Sequence, residues 1–355
     1  MLKTFAAPPT DGRRPTIHDV ARQAGVSITT VSRALSGHPH VRVEVRERVA
    51  LAVRALGYSP DRVASGLRTR KTGVVAFLGR NITNPVIAGV AWAADQVLAR
   101  EGYLTVVANA GGWPGGDANL LSVLLERRVD GIMGYIEDEY DEDTRRALTE
   151  ARVPVVLVDR RIEGVHADQV TADHAIGTEQ ATRHLVQFGH RHIGLVTAPL
   201  GQWTGRERLR GYQTALHAAG LDAQTLVRHV RPDLDLAQAA VEDLLRQSPR
   251  PTAIIGGGNR VSAALLRAVT AAGLRVPDDL SVIVFGGFDL LDITSPPLAH
   301  VTWSLHDVGE AAANRLLARL RGDQSEPHLI SFPTRFEPRG SVGPPPNATR
   351  HDGVH

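Results

Sequence analysis

Residues 16–37 read TIHDVARQAGVSITTVSRALSG and predict two short helices held at a fixed angle by a tight turn. Thr16 and, three residues later, Asp19 form a capping-box-like pair at the start of the first helix. Gly25 stands where a helix leaves the right-handed region, and Ser27 can cap the second helix. This is the helix-turn-helix arrangement, in which the second helix enters the major groove of DNA. The segment therefore predicts a DNA-binding protein.

Helical spacing separates a buried side of these two helices from an exposed side. The side chains expected to turn inward are Val20, Ala21 and Ala24 in the first helix and Val31, Ala34 and Leu35 in the second, with Val26 closing the corner. Those expected to turn outward are Ile28, Thr29, Ser32 and Arg33. The outward set is the one that would meet DNA.

The distribution of charge favours DNA binding over the alternative, an ordinary helical hairpin in a globular core. Residues 1–72 carry 13 Lys or Arg and 5 Asp or Glu, a net charge of +8. Residues 73–355 carry 27 and 33, a net charge of −6. A basic segment of this kind neutralises phosphates and releases counterions, which supplies the sequence-independent part of DNA affinity.

Composition limits the class of protein. With 355 residues, of which 43% are hydrophobic, the chain can bury a large core in more than one domain. It contains no cysteine, which excludes disulfides, thiolate metal sites and cysteine nucleophiles. Residues 1–14 lack the apolar run of a signal peptide and are expected to form a disordered leader. Because no apolar stretch of about 18 residues occurs, we expect a cytoplasmic protein that is not bound to a membrane.

The rest of the head and the linkers follow from shorter patterns. A third helix is predicted over residues 43–56, with Val49, Ala52, Val53 and Leu56 on its buried face, which completes a DNA-binding domain over residues 15–60. Its start, Val41-Arg42-Val43, lacks a Ser or Thr cap. Residues 61–73 are expected to hold a short hinge helix and a basic linker. The body spans residues 74–338, and residues 339–355 are expected to be a disordered tail.

From residue 74 onward, short apolar runs alternate with amphipathic segments. The predicted strands are residues 74–78, 104–108, 131–135, 155–158, 192–197, 253–256 and 281–285. The predicted helices are residues 86–100, 117–128, 174–189, 206–219, 236–247, 259–272 and 306–321. This alternation predicts an α/β body of parallel sheets covered by helices on both faces. Two units, about 74–172 and 173–330 with a crossover, would leave a ligand crevice at the carboxyl ends of the strands.

Several motifs occur in a fixed order along residues 16–338. The head matches the pattern T-x-x-D-V-A-x-x-A-G-V-S-x-x-T-V-S-R at residues 16–33. Further motifs are Gly57-Tyr58-x-Pro60, Ala64-x-x-Leu67, Pro154-Val-Val-x-Val-Asp159, His184-Leu185-x-x-x-Gly189-His190-x-x-Ile193, Arg208-x-x-Gly211-Tyr212 and Ser295-Pro-Pro-Leu298. In kind and order, these motifs resemble those of the lactose-repressor/galactose-repressor family of bacterial transcription regulators.

The resemblance implies a fold, a set of partners and a mode of control. It implies a small all-α helix-turn-helix head on a two-lobed, periplasmic-binding-protein-like α/β body that also holds the dimer contacts. Members of the family are homodimers that bind palindromic operators in double-stranded DNA and respond to a small effector held between the lobes. We therefore expect a transcriptional regulator of the repressor type, with a sugar or sugar derivative as its effector and no cofactor.

Positions in the family motif assign roles in DNA binding. Ile28 and Thr29 open the recognition helix where base edges are read, and Arg33 would reach a base or a phosphate. Arginine suits guanine O6 and N7, and an isoleucine can pack on a thymine methyl group. Thr29 could instead be a solvated helix position. The side chains expected to bond phosphates and hold the register are Thr16, Ser27, Thr30 and Ser32.

The hinge carries one further expected DNA contact. Leu67 matches the family's hinge leucine, which inserts into the minor groove at the operator centre. An exposed leucine next to the basic residues Arg62 and Arg68 suits this role, since apolar wedges unstack a base step and kink the duplex. The alternative is an ordinary packing leucine in the linker.

The resemblance weakens in the effector cleft. The positions expected to line it are Asn84, Ile87, Tyr135, Asp159, Arg160, Arg208, Gly258, Asn259, Gly286 and Asp289. Where many members have Asn-Asp, this chain has Gly258-Asn259, and where an Asp-Asp pair is usual it has Gly286-Gly287. Losing these polar side chains disfavours a simple hexose and favours a larger or anionic effector near Arg208 and Arg160, because buried hydroxyls need partners. Alternatively, Asn259 and Asp289 restore ordinary sugar binding, or the response to an effector has been lost.

Other functions are less consistent with the sequence. The glycine runs at residues 111–116 and 256–258 do not lead into Gly-Lys-Ser/Thr, which excludes a P-loop. The spacing of His184, His190 and His192 fits a helix end and a strand start better than a metal site. The acidic run at residues 137–143 is expected to be a solvated loop and helix start. A transport solute-binding protein would share the two lobes but not the basic head, and a sugar-modifying enzyme would need a catalytic constellation that we do not find.

Overall fold

The computed structural model describes residues 13, 15–35, 38–58, 71–221, 226–231, 233–286 and 293–346. Contacts divide the chain into two compact units that meet at residues 72 and 73. The first unit holds the helical head and the second holds the α/β body. The fold class predicted from the sequence, a helix-turn-helix head with a two-lobed body of parallel sheets, is confirmed.

The head is a bundle of three helices, α1 (Ile17–Ala24), α2 (Ile28–Leu35) and α3 (Val43–Leu56). Its core consists of small and branched side chains, namely Val20, Ala21, Ala24, Val31, Ala34, Val49, Ala52 and Leu56. Leu35 was expected to turn inward, but it lies at the end of α2 and is 38% exposed, so that expectation is wrong. The turn between α1 and α2 depends on Gly25, whose φ of 63° lies in the left-handed region that favours glycine.

The predicted pair at the start of α1 forms. The Asp19 carboxylate accepts hydrogen bonds from the Thr16 backbone N–H (2.9 Å) and from the Thr16 hydroxyl (2.8 Å). These bonds lower the pKa of Asp19 to about 2, so the carboxylate is charged at neutral pH. A charged carboxylate in the first turn also interacts favourably with the helix dipole.

The body contains two six-stranded sheets. The first lobe orders its strands β11-β5-β4-β3-β1-β2, all parallel, and the second orders them β12-β10-β9-β8-β6-β7, parallel except for the antiparallel pair β10–β12. The strands are β1 (Val74–Gly79), β2 (Leu104–Asn109), β3 (Gly131–Gly134), β4 (Val155–Val158), β5 (Asp168–Asp173), β6 (Ile193–Thr197), β7 (Val227–His229), β8 (Ala253–Gly257), β9 (Ser281–Phe285), β10 (Ala299–Thr302), β11 (Leu329–Pro333) and β12 (Arg335–Glu337).

Helices cover both faces of each sheet. They are α4 (Pro85–Arg100), α5 (Gly116–Glu126), α6 (Glu142–Glu150), α7 (His174–Gln187), α8 (Trp203–Ala218), α9 (Leu234–Leu245), α10 (Asn259–Ala271) and α11 (Leu305–Leu320). Each lobe has two apolar cores, one on either side of its sheet. Among the described residues, no helix is both long and apolar enough to span a membrane.

The chain passes between the lobes three times. It leaves the first sheet after β5, returns after β10 to form α11, and leaves again between β11 and β12. Helix α11 packs against α4, in one core with Phe77 and Val158 of the first lobe. Residues 305–330 were expected in the second unit, but they belong to the first lobe. Their apolar side chains fill the space that α4 leaves on that face of the sheet.

Part of the expected C-terminal tail is packed. Ser341 is buried; its hydroxyl donates to the Val282 carbonyl (2.6 Å) and accepts from the Ala299 N–H (2.8 Å). The Gly343 carbonyl lies 2.9 Å from His190 Nε2. The expectation of a disordered tail is therefore wrong for residues 340–346. In this segment Ser341 and Gly343 form hydrogen bonds with residues of the second lobe.

The third helix of the head begins without a side-chain cap, as its sequence suggested. Arg42 occupies the N-cap position, with φ −58° and ψ 146°, and makes no cap hydrogen bond. We expect Arg42→Ser to stabilise the head by about 1 kcal/mol, because a serine oxygen can accept from a free N–H of the first turn. Amide hydrogen exchange in residues 43–56 should slow by about fivefold.

A matched control is Arg48→Ser, which makes the same change in the interior of α3. Serine is a poorer helix former than arginine, so this variant should exchange slightly faster. Faster exchange in Arg42→Ser as well would contradict the capping explanation.

Candidate functional sites

The outward face of α2 presents three of the side chains predicted to meet base edges. Ile28, Thr29 and Arg33 are exposed, whereas Val31 and Ala34 of the same helix are buried in the core of the head. The tight turn at residues 25–27 holds α2 against α1 and α3, so its outward side chains project from a rigid support. This arrangement is suited to insertion into a DNA major groove.

The hydroxyl groups predicted to bond phosphates already have partners within the head. Ser27 Oγ accepts from the Thr30 N–H (3.1 Å), and the two hydroxyls lie 2.8 Å apart. Thr16 directs both its N–H and its hydroxyl to Asp19. A phosphate contact from Thr16 would have to replace one of these bonds, whereas the exposed Ser27 can accept and donate at once. Ser32 is half-buried.

Several predicted residues lie outside the described residues. They are the hinge residues Arg62 and Leu67, and Gly287 and Asp289 after β9. Their assigned roles therefore stay predictions.

A cleft lies between the two lobes of the body, where strands of both sheets end. Eight of the predicted effector positions line it: Asn84, Ile87, Tyr135, Asp159, Arg160, Arg208, Gly258 and Asn259. Gly286 follows β9 directly but is not among the lining residues. The structure thus brings together most of the positions inferred from the family pattern, and it leaves their binding roles untested.

Arg208 is the central cation of the cleft. Its Nη1 donates to the Gly257 carbonyl (2.8 Å), its guanidinium carbon lies 4.8 Å from the centre of the Phe285 ring, and its Nε has no partner among the described residues. Its Nη2 lies 3.4 Å from Nδ1 of His174. Burial lowers the pKa of Arg208 to about 10, which leaves it positively charged at neutral pH.

His174 forms the floor beside Arg208. It is fully buried, and burial together with the charge of Arg208 lowers its pKa, which favours the neutral ring. Its ring packs edge-on against Trp203 and Trp303, at centroid distances of 5.8 and 5.0 Å. Its Nε2 lies 3.3 Å from a carboxylate oxygen of Asp159. The neutral ring therefore carries no charge that could balance a charge on a ligand. It also adds nothing to the positive charge of Arg208.

Arg160 is held more tightly than Arg208. Its Nε donates to the Ile136 carbonyl and its Nη1 to the Asp159 carbonyl, both within the first lobe. Glu139 lies 4.0 Å away. These partners leave Arg160 a smaller share in binding a ligand anion than the sequence had suggested.

Besides Arg208 Nε, two buried polar atoms of the cleft lining have neither a hydrogen bond nor an ion pair among the described residues. The Tyr135 hydroxyl is one, and burial raises the pKa of Tyr135 well above its usual value. The indole N–H of Trp303 is the other. A buried donor without an acceptor costs about 1–3 kcal/mol, so these atoms are ready partners for a bound polar molecule.

Sequence reasoning missed several residues of the cleft. Those that line it are Arg80, Gln202, Thr204, Arg260, Phe285 and Trp303, with His174 behind them. Arg80 follows β1 and Phe285 ends β9, so the rule that ligands bind at the carboxyl ends of parallel strands could have found both. Trp303 follows β10, a strand that the sequence analysis did not predict.

The acidic run at residues 137–143 is only partly solvated. Glu139 is 1% exposed and accepts a hydrogen bond from the Trp203 N–H (2.6 Å) in the other lobe. Burial is tolerated because Arg206 pairs with the same carboxylate. The expectation of a solvated loop is therefore wrong for Glu139.

Two family models match this chain. The model for bacterial regulatory proteins of the lacI family matches residues 16–61, and that for a periplasmic binding protein-like domain matches residues 182–342. The ribose operon repressor of Haemophilus influenzae is 31% identical over 323 residues, 90% of this chain and 96% of that protein. The HTH-type transcriptional regulator CelR of Thermobifida fusca is 33% identical over 339 residues, 93% of this chain and 98% of that protein.

Solved structures share the fold of this chain. A complex of the transcriptional regulator CelR with cellobiose is 31% identical with a TM-score of 0.69, covering 92% of this chain and 100% of that one. The lac repressor dimer bound to operator and the anti-inducer ONPF is 24% identical with a TM-score of 0.81, covering 93% and 100%. The likeness to the lac repressor shows a shared fold. The ribose operon repressor and CelR align with 90% and 93% of this chain. The protein, with its helix-turn-helix head and two-lobed body, therefore belongs to the lacI family of bacterial regulatory proteins.

Proposed function

We propose that this DNA-binding regulator represses transcription as a homodimer on a palindromic operator, under the control of an anionic sugar derivative bound in the interlobe cleft. The observation that carries DNA recognition is the exposed set Ile28, Thr29 and Arg33 on a helix whose other side is buried. A gel-shift assay at several salt concentrations tests it, because phosphate contacts give a steep salt dependence.

Arg33→Ala should weaken binding to the operator by about 1–3 kcal/mol and spare nonspecific DNA, if Arg33 reads a guanine. Affinities for operator and random duplexes, measured at one salt concentration, check this. Arg54→Ala removes an exposed arginine from α3 and serves as the control. An equal loss on both duplexes would assign Arg33 to a phosphate.

An apolar surface on the first lobe supports the homodimer. The edge strand β2 exposes Leu104 (59%), Val106 (41%) and Val107 (45%), and α4 exposes Trp92 (63%). Among the described residues β2 pairs with β1 alone, so its other edge is open. Open apolar edges favour association, and one recognition helix reads too few bases for specificity without a second copy. A lac repressor of the same fold is described as a dimer on its operator.

Val106→Lys should raise the dissociation constant of the dimer tenfold or more, since an unpaired ammonium group would be buried in the interface. Sedimentation velocity at micromolar concentration measures this. Leu329→Lys is the control, because Leu329 is also exposed (51%) and lies on the opposite edge strand β11. A wild-type monomer, or dissociation by Leu329→Lys instead, would contradict the placement of the interface.

The anionic effector is inferred from the charge balance around Arg208. Its hydrogen-bond partners are a backbone carbonyl and a histidine whose lowered pKa favours the neutral form, and the nearby Asp159 carboxylate of the cleft lining offsets part of its charge. Gly258 lies beside it, with φ 142°, and a Cβ there would come within 3.7 Å of Nη1. The glycine leaves room for a ligand group next to a desolvated guanidinium, where a carboxylate or phosphate forms the strongest bonds.

Calorimetric titration with neutral monosaccharides and with sugar phosphates or sugar acids tests this proposal. We expect an anionic sugar to bind more tightly, and Arg208→Met to weaken it tenfold or more. Arg210→Ala, two residues along α8 and exposed, should change nothing. Tight binding of a neutral sugar, undiminished in Arg208→Met, would favour the alternative suggested by the relatives named for ribose and bound to cellobiose.

A further inference from the structure

A turn of the first lobe meets the start of α8 in the second lobe, next to Gln202 and Thr204 of the cleft lining. Glu139, in this turn, makes three contacts across the gap. Its N–H donates to the Gly201 carbonyl (3.0 Å), and its carboxylate accepts from the Trp203 N–H (2.6 Å) and from the Arg206 guanidinium. The carboxylate is buried, so these contacts are shielded from water and salt.

Helix α8 has no cap of its own. Gln202 occupies the N-cap position and makes no side-chain cap bond. The first N–H groups of a helix need acceptors, and a negative charge there is stabilised by the helix dipole. The Glu139 carboxylate therefore supplies, from the other lobe, the cap that the sequence of α8 lacks.

We propose that Glu139 is an interlobe latch: by capping α8 across the cleft, it stabilises the closed arrangement of the lobes and positions Thr204 and Arg208, which α8 contributes to the cleft lining. The link to ligand control rests on the proposed function. The latch itself rests on contacts within the body and holds for any effector.

The surroundings of Glu139 fit close docking of the two lobes. Gly201 allows the approach, because a Cβ at that position would lie 3.0 Å from the Asp138 carboxylate. The Arg206 guanidinium also lies 5.2 Å from the centre of the Tyr140 ring. Opening the cleft would return the Glu139 carboxylate to water and leave the Trp203 N–H without its acceptor.

Among the described residues other contacts also join the lobes, and one of them, His174 with Asp159 (3.3 Å), is buried as well, but the lowered pKa of His174 favours its neutral ring. Arg260 donates to the Thr83 hydroxyl (2.8 Å), and Arg231 lies 3.9 Å from Glu137. Thr83, Arg231 and Glu137 are all at least partly exposed, where ion pairs and hydroxyl bonds contribute little. Loss of the Glu139 contacts should therefore shift the equilibrium between closed and open lobes more than loss of these other contacts.

The absence of cysteine from the chain makes distance labelling straightforward. Glu150→Cys on α6 and Leu236→Cys on α9 place spin labels at exposed positions of the two lobes, and pulsed EPR reads the distances between them without effector or DNA. We expect Glu139→Gln to raise the ratio of long to short distances about tenfold or more, because it removes a buried charge that pairs with Arg206. Arg206→Met, which leaves the buried Glu139 carboxylate without its pairing cation, should shift the distances in the same direction by at least as much.

Glu142→Gln is the matched control. It removes one charge from the same acidic run, at an exposed position on α6. It should leave the distances unchanged. Circular dichroism melting of each variant separates a shift in lobe closure from loss of the fold.

A crosslink gives a second readout. Asp138→Cys with Gly201→Cys places two thiols on facing lobes and removes the Asp138 carboxylate that a Cβ at residue 201 would otherwise meet. Their oxidation requires the lobes to be closed. Adding Glu139→Gln should slow disulfide formation about tenfold, and adding Glu142→Gln should not. Unchanged EPR distances and an unchanged crosslinking rate in a folded Glu139→Gln protein would overturn the latch. Neither measurement uses an effector, so failure of the effector proposal would not affect them.

Discussion

Parallel strand pairing is the constraint on which the rest of this structure depends. Because neighbouring strands run in the same direction, their carboxyl ends lie at one edge of the sheet. The chain must also return through a crossover connection, usually a helix, before it adds another strand. In the first lobe, Arg80, Tyr135 and Asp159 follow β1, β3 and β4 directly. In the second, Phe285 ends β9 and Trp303 follows β10. The two edges face each other, so the ends of separate strands form one cleft.

Buried charged groups lie in and beside the cleft, so their exposure to water depends on whether the two lobes are closed or open. Arg208 lies over Phe285 with an unpartnered Nε, and Glu139 reaches from the opposite lobe to cap the helix that carries it. A buried charge is costly without a partner, so separating the members of a buried pair is strongly unfavourable. Lobe closure and ligand binding therefore depend on the same few charged side chains. This coupling gives a physical route from effector binding to the arrangement of the body.

Much of the architecture could be predicted because it is encoded locally. The apolar runs of β4 and β9 are flanked by residues that interrupt a strand pattern. Helix α3 ends at Gly57, which takes the left-handed conformation. The strands that were missed lack such patterns. β5 begins and ends with aspartate, and β12 has three residues, two of them charged. Their strand conformation depends on a neighbouring strand that only the folded chain supplies.

The sequence by itself determined the head, the alternation of strands and helices in the body and the family, since these depend on spacing, capping and turn residues within a few positions of one another. The resemblance to the family also located most of the residues that line the cleft. Only the tertiary structure decided that residues 305–330 return to the first lobe, that Ser341 is buried in the second, and that Glu139 is buried rather than solvated. Each of these outcomes depends on contacts between residues far apart in the chain, which local patterns do not record.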